Sequence, residues 1–456
     1  MSSSRVKRTA AHYLPGFIVI CCTAVAQMAH AQDLMDVYEL ALQNDPALKQ
    51  AQANWLAVGE SKNQSIANFL PTVSATALSN LNRLSNKRFT YQGVGVQNYA
   101  DNNFTLNLSQ PLFHWDHWVQ LSQSDNQIAQ AEADYQAELQ KLIVKITEAY
   151  FNVLSAEDNL EFSRSEKQAI ARQLEQAKQQ FAVGLIDITE SRQAQAAFDR
   201  ASADEIAASN SVDDQKEALA EIIGEQDLKL NRLGESLPLA RPEPDDMTEW
   251  SNSAEAGNFS IIAAFNQMEF SRKGIDLQRN GHLPKLDLTA SLGEYDTSSQ
   301  FGLRGSTEMV GVRLNVPLYE GGAVTSRTQQ ARYRYEQAKE QLTAAKRAVN
   351  RQVKDAYRGI TTSLGRVEAL KTAVASAEVA LQATEAGFEV GVRTLVEVLN
   401  EQRNLYLAKR DYSRTRYDYL LNSIKLKQAA SSLSQEDIEK INRLLVTSSA
   451  AVKVEK

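Results

Sequence analysis

The sequence predicts an α+β membrane protein of two similar halves, each a pair of membrane-length β-strands followed by a long coiled-coil helical hairpin. The first observation behind this is a repeat of landmarks. Leu70-Pro71, Pro111-Leu112-Phe113 and Val183-Gly184 recur in order as Leu283-Pro284, Pro317-Leu318-Tyr319 and Val390-Gly391, displaced by 213, 206 and 207 residues. The second is a tract of 72 residues, Leu112 to Val183, that contains neither glycine nor proline. The third is a change of apolar period, from two ahead of each long tract to about 3.5 within it.

The N-terminus carries Arg5, Lys7 and Arg8, an apolar run from Leu14 to Ala26, and Ala29-His30-Ala31 before Gln32. This order is that of a secretory signal peptide, residues 1–31, with the mature chain starting near Gln32. The apolar run is too short for a membrane anchor, and Pro15-Gly16 interrupts its start. Both cysteines, Cys21 and Cys22, fall in the removed segment, so no disulfide or thiolate site is expected. Loss of three cations takes the net charge from −7 to −10, the opposite of what a nucleic-acid binder needs. No later segment holds a long enough apolar run for a membrane helix, which leaves β-strands as the route into lipid.

Strand signals lie between the members of each pair of proline landmarks. Phe104, Leu106, Leu108 and Leu112 alternate with Thr105, Asn107 and Ser109; Val310, Val312, Leu314, Val316 and Leu318 alternate with Gly311, Arg313 and Asn315. The partner strands, Val73 to Leu81 and Leu286 to Leu292, place Ser, Thr or Asp at every second position. One apolar and one polar face is the pattern of an outer-membrane barrel strand. Four strands cannot close a barrel, and lipid does not tolerate an open sheet edge, so the barrel must be shared between subunits, as eight strands or as twelve. Phe113, Trp115, Trp118 and Tyr319 at the strand ends suit an interfacial belt. The polar stretches Ser85 to Asn98 and Thr297 to Thr307 read as exposed loops.

The long tracts follow a heptad. Leu139, Ile146, Val153, Leu160, Lys167, Leu174 and Phe181 form one column; Leu142, Ala149, Ala156, Ser163, Ile170 and Ala177 form the other. A shift of 207 residues reproduces it, with Lys346, Val353, Ile360, Val367, Val374, Leu381 and Phe388 facing Val349, Ala356, Ser363, Leu370, Ala377 and Thr384. Large residues opposite small ones fit close-packed helices in a left-handed supercoil, with Lys167 and Lys346 snorkelling out of the seam. A helix from His114 to Val183 is roughly 100 Å long at 1.5 Å per residue.

Both tracts stop at Val-Gly, where glycine supplies a left-handed cap. Asp187-Ile188-Thr189-Glu190 and Thr394-Leu395-Val396-Glu397 then read as capping boxes that open a return helix. Arg393 has no capping role, and its counterpart by the repeat is Ile186. An arginine beside Glu190 and Glu397 is suited to ion pairs between hairpins that hold a constriction shut; a solvated turn charge is the bland reading. The predicted divisions are 1–31 signal, 32–225 first repeat, 226–252 linker rich in charge and proline, 253–432 second repeat, and 433–456 a short capped helix with a polar tail. The linker and the C-terminal helix should wrap the outside of the rod.

Across nearly the whole mature sequence the chain resembles the TolC family of outer-membrane export ducts. The resemblance is carried by Asp33-Leu34-Met35-Asp36-Val37-Tyr38, Ala149-Tyr150-Phe151-Asn152-Val153-Leu154, Phe181-Ala182-Val183-Gly184-Leu185, His282-Leu283-Pro284 with Asp287-Leu288-Thr289-Ala290-Ser291, and Gly387-Phe388-Glu389-Val390-Gly391-Val392-Arg393-Thr394. It implies a TolC-like fold, a homotrimer with twelve strands in one barrel, and a periplasmic barrel of twelve helices tapering to a closed entrance. It also implies a periplasmic adaptor and an inner-membrane pump of the resistance-nodulation-division (RND), major-facilitator (MFS) or ABC type, serving multidrug efflux or type I protein secretion. By resemblance the entrance gate falls on Thr189, Glu190, Phe388 and Arg393, and an entrance ring on Glu397 and Asn400. Phe388 stands where similar proteins often have tyrosine and Asn400 where they often have aspartate, so the gate is expected to rest more on Arg393 with Glu190.

Two other classes compete. An enzyme finds little support, because the mature chain has three histidines, His114, His117 and His282, and neither a phosphate loop nor a nucleophile elbow. Gly93-Val94-Gly95 precedes a strand rather than a helix. His114-Trp115-Asp116-His117 puts two histidines on one helical face, but among aromatics and without a second ligand cluster, so neither a metal nor a cofactor is expected. A coiled-coil tether or adhesin would share the signal and the rods, yet would not need polar faces on four strands.

Overall fold

A computed structural model describes residues 33–86, 95–224, 229–234, 236–298 and 304–446. The signal segment, the tips of both strand pairs, Gly93-Val94 and the end of the C-terminal tail lie outside the described residues. In chain order the elements are α1 Leu34–Asn44, α2 Pro46–Ala67, β1 Thr72–Asn86, β2 Gly95–Phe113, α3 Trp115–Ala182, α4 Ile188–Ile223 and β3 Arg232–Leu233. They continue with α5 Met247–Gly257, α6 Phe259–Arg279, β4 Lys285–Thr297, β5 Arg304–Asn315, α7 Ala323–Glu389, α8 Leu395–Ala429, α9 Gln435–Asn442 and β6 Leu445–Val446.

The four long strands make one antiparallel sheet in the order β1-β2-β4-β5. Cross-strand partners share a face, and the register sorts the side chains by chemistry. One row reads Val73, Leu108, Ala290, Val310; the next row, on the other face, reads Thr72, Ser109, Thr289, Gly311. Period two therefore translates into one apolar and one polar surface. Val310, Val312 and Leu314 are well over half exposed in the protomer, which lipid explains and water does not. The outer strands β1 and β5 each have an unpaired edge within the chain. Among the described residues no helix is long and apolar enough to cross a membrane.

The sheet passes directly into two rods. α3 has 68 residues and α7 has 67, each roughly 100 Å at 1.5 Å per residue. A single return helix does not cover that length, and the structure supplies a second packing helix for each rod that the repeat landmarks do not announce. α2 runs along the membrane-proximal part of α3, marked by Trp55 stacked on Tyr135 at 5.3 Å and Lys62 on Asp125 at 2.9 Å; α4 covers the remainder, marked by Lys216 on Glu157 at 3.2 Å. α6 and α8 divide α7 in the same way, so each half begins with a helix rather than with its strands.

Along the upper rods the heptad seams are where the periodicity puts them, while toward the tips Phe181 is exposed and Val374, Leu381 and Phe388 are only partly covered. Ile146, Val153, Leu174, Leu142, Ala156, Ser163, Ile170 and Ala177 are buried on α3, as are Val349, Val353, Ala356, Ile360, Ser363 and Val367 on α7. Lys167 leaves its seam over the Phe198 ring, 5.8 Å from the centroid, and reaches Glu205 at 2.8 Å; Lys346 reaches Glu255 at 2.8 Å.

The main core is a belt midway along the rods. Tyr150, Leu154, Val353, Tyr417 and Leu426 pack there with Leu34 and Val37 of α1 and Ile438 of α9. The Tyr150 hydroxyl donates to the Asn231 carbonyl at 2.8 Å, holding the linker against α3. Asn442 donates to Asp33 at 2.6 Å and accepts from the Leu34 amide at 3.0 Å, while β3 pairs with β6. The linker and the C-terminal helix are thus laid against the rods at this belt.

Candidate functional site

Both rods end in the same backbone device. Gly184 and Gly391 adopt φ of 75° and 77°, and the next amide reaches back five residues into the helix: Leu185 to the Gln180 carbonyl and Val392 to the Gly387 carbonyl, each at 2.9 Å. This is a Schellman cap, and glycine avoids the Cβ clash at positive φ.

The side chains then diverge. Thr394 caps α8 with a full capping box: its hydroxyl accepts from the Glu397 amide at 3.4 Å, and Glu397 Oε2 accepts from the Thr394 amide at 2.7 Å. The matching box predicted at Asp187 does not form. The Asp187 carboxylate accepts from the Thr189 hydroxyl at 3.0 Å and makes no side-chain bond to the helix amides. A hydroxyl two residues on has displaced the backbone donor.

Arg393 and Ile186 are equivalent in the repeat and opposite in environment. Ile186 packs with Phe198, Phe388 and Leu399 around buried Leu174, Ala177, Ala194 and Leu395. That cluster joins the two hairpins at their tips, so their contact within the protomer is apolar. Arg393 turns away from it. Its guanidinium donates to Glu397 Oε1 at 2.9 Å, within its own turn, and Glu190 makes no ion pair among the described residues. The stem of Arg393 lies against Gly387, where a Cβ would stand 2.7 Å from Arg393 Cγ. The position equivalent to Gly387 in the first half is Gln180, so the glycine and the arginine both set the second turn apart from the first.

Hydrogen bonds from the Thr394 amide and then from Arg393 hold the Glu397 carboxyl below the usual carboxylate range. Thr189 and Asn400 are exposed, and Glu190 and Phe388 are partly so. An ionic link between hairpins does exist, farther up the rod. Arg410 of α8 meets Glu166 of α3 at 2.6 Å, both largely covered, and burial pushes the Glu166 carboxyl up against the opposing pull of Arg410. Close by, Ser413 and Tyr417 both donate to Asp158, Tyr417 at 2.8 Å. Glu166 precedes the seam lysine at a heptad flank, the position where coiled coils place pairing charges; that was the available signal.

Rods of this length, continuous with a two-faced sheet open at both edges, make the wall of a duct. The sequence profile of outer membrane efflux proteins matches residues 37–225 and 250–432. The chain belongs to that family. Outer membrane protein TolC of Vibrio cholerae is 38% identical over 436 residues, spanning 94% of this chain and 97% of that one. The alkaline protease secretion protein AprF of Pseudomonas aeruginosa is 29% identical over 420 residues, spanning 90% and 87%. Among solved structures, the outer membrane protein VceC of Vibrio cholerae superposes with a TM-score of 0.74 at 19% identity, covering 88% of this chain and 96% of that one, which places the fold with the outer-membrane channels. The protein is an outer-membrane export duct that extends into the periplasm, and its family is one of efflux channels rather than of enzymes.

Proposed function

We propose that three copies of the chain close one barrel of twelve strands over a tunnel of helices, and that the tunnel passes drugs or a secreted protein handed over by a periplasmic adaptor and an RND, MFS or ABC inner-membrane pump. The observation that carries this is the sheet: four strands with an apolar outer face, a polar inner face and two unpaired edges, which lipid accepts only if other copies complete it. The names of relatives support both kinds of cargo, since one is an alkaline protease secretion protein and the family is one of efflux proteins.

The entrance gate in this reading is formed by Thr189, Glu190, Phe388 and Arg393, with Glu397 and Asn400 on the constriction. Within a protomer the apolar cluster that holds Ile186 and Leu395 ties the two tips together. The pair of Arg393 with Glu397 lies within the second turn and is its polar latch, fixing the shape that this turn presents to the entrance. An acidic constriction raises the local cation concentration and disfavours anions. The test is a planar bilayer with purified protein. Discrete, cation-preferring channels of low conductance are expected; a correctly inserted oligomer that carries no current overturns the reading in favour of a tether.

A further inference from the structure

The junction between β2 and α3 holds polar atoms for which the duct has no use. His114 Nδ1, Asp116 Oδ1 and His117 Nδ1 are each buried without a hydrogen-bond partner among the described residues. One ligand atom from each of these three side chains lies within 4.8 Å of the other two, and His114 Nδ1 is 3.7 Å from Asp116 Oδ1. Their remaining polar atoms are fixed from other elements. His114 Nε2 is 2.9 Å from Asp287 Oδ1 on β4, Asp116 Oδ2 accepts from Lys285 Nζ at 2.6 Å, and His117 bonds the backbone of Asn68 at the end of α2.

These outer partners decide the tautomers. A carboxylate facing His114 Nε2 requires the proton there, and a backbone acceptor requires the same of His117, so both Nδ1 atoms present lone pairs. Two imidazole nitrogens and one carboxylate oxygen, each oriented by a second group, are a donor set for a borderline divalent ion. The rings stack with centroids 4.5 Å apart, which keeps both in place. Metal bonds of about 2.0–2.1 Å bring ligand atoms to roughly 3.3 Å from one another, a closure that side-chain rotation supplies.

We propose that His114, Asp116 and His117 bind one divalent transition-metal ion per protomer, of the zinc type, with water in the open position. The ion would staple the start of α3 to β4 through Asp287 and Lys285, at the point where barrel becomes tunnel.

The experiment uses untagged full-length protein in detergent, stripped with chelator and titrated with cobalt(II), then with zinc. The expected result is a visible cobalt band saturating at one ion per protomer, displaced by zinc, and a rise in Tm on zinc addition. Asp116→Asn and His117→Gln, which keep side-chain volume and the outer hydrogen bonds, should lose the band while still conducting in a bilayer. His282→Ala should keep it. No cobalt band in the parent protein, or an equal band in both site variants, overturns the proposal.

Discussion

The two turns at the far end of the rods share a backbone and differ in what they hold. Each is a Schellman cap on a left-handed glycine. Yet the first turn drops Ile186 into the apolar cluster between hairpins, while the second swings Arg393 out to Glu397 over a glycine that makes room for it. The difference teaches that duplication kept the geometry that ends a helix and let the side chains specialise, one turn as anchor and the other as latch. Anchor and latch make different demands: salt does not screen burial, whereas an exposed ion pair is weakened by both salt and acid.

The largest expected effect removes the anchor from both hairpins at once. Leu395 is fully buried in the cluster, and Leu395→Ala should cost about 2–5 kcal/mol of local stability, read as faster proteolysis and hydrogen exchange at the tips and as raised bilayer conductance. Protection equal to that of the parent protein would show that the cluster does not hold the hairpins together.

Next comes the latch. Arg393→Ser should raise channel open probability severalfold, and high salt should mimic it, whereas Ile186→Ser should loosen the tip in a way that salt does not reproduce. Unchanged single-channel conductance in Arg393→Ser would sink the latch. Gly387→Ala sharpens the same point. A Cβ there forces the Arg393 stem aside, so the variant should leak like Arg393→Ser and add nothing on top of it. Gln180→Ala, at the equivalent position of the first turn, should be silent.

The sequence made some of this legible and not the rest, for physical reasons. Strand faces were readable because period two fixes them, as with Phe104, Leu106 and Leu108. The rod ends were readable because His114 and Val183 sit beside proline and glycine landmarks, and α3 runs from Trp115 to Ala182. α2 and α6 were missed, since no landmark sets them off from the strands that follow. Arg393 was expected to pair with Glu190 across hairpins; within the protomer it pairs with Glu397 of its own turn, and the ion pairs that cross from α8 to α3 are Arg410 with Glu166 and Lys425 with Glu148. Heptads give each helix its buried face, but they do not give the rotation of one hairpin about another, and that rotation chooses the pairs. Two histidines and an aspartate in four residues were visible at once. Asp287, Lys285 and Asn68, which orient them, come from elsewhere in the chain and needed the fold.

The smallest effect compares the caps. Thr394 satisfies a helix amide and Asp187 does not, so Thr394→Ala should cost about 1 kcal/mol while Asp187→Ala stays within about 0.5 kcal/mol, both measured as local opening by hydrogen exchange. The acid behaviour follows from Glu397, whose folded carboxyl titrates below its usual value chiefly because the Thr394 amide donates to it. A depressed carboxylate contributes stability above its unfolded pKa and loses it as pH falls through the folded one. The second turn should therefore hold through the ordinary glutamate range near ~4.3 and open only at lower pH. The first turn, held by the apolar cluster around Ile186, is the comparison. Equal acid sensitivity of the two turns would mean that the latch, like the anchor, is held by packing alone.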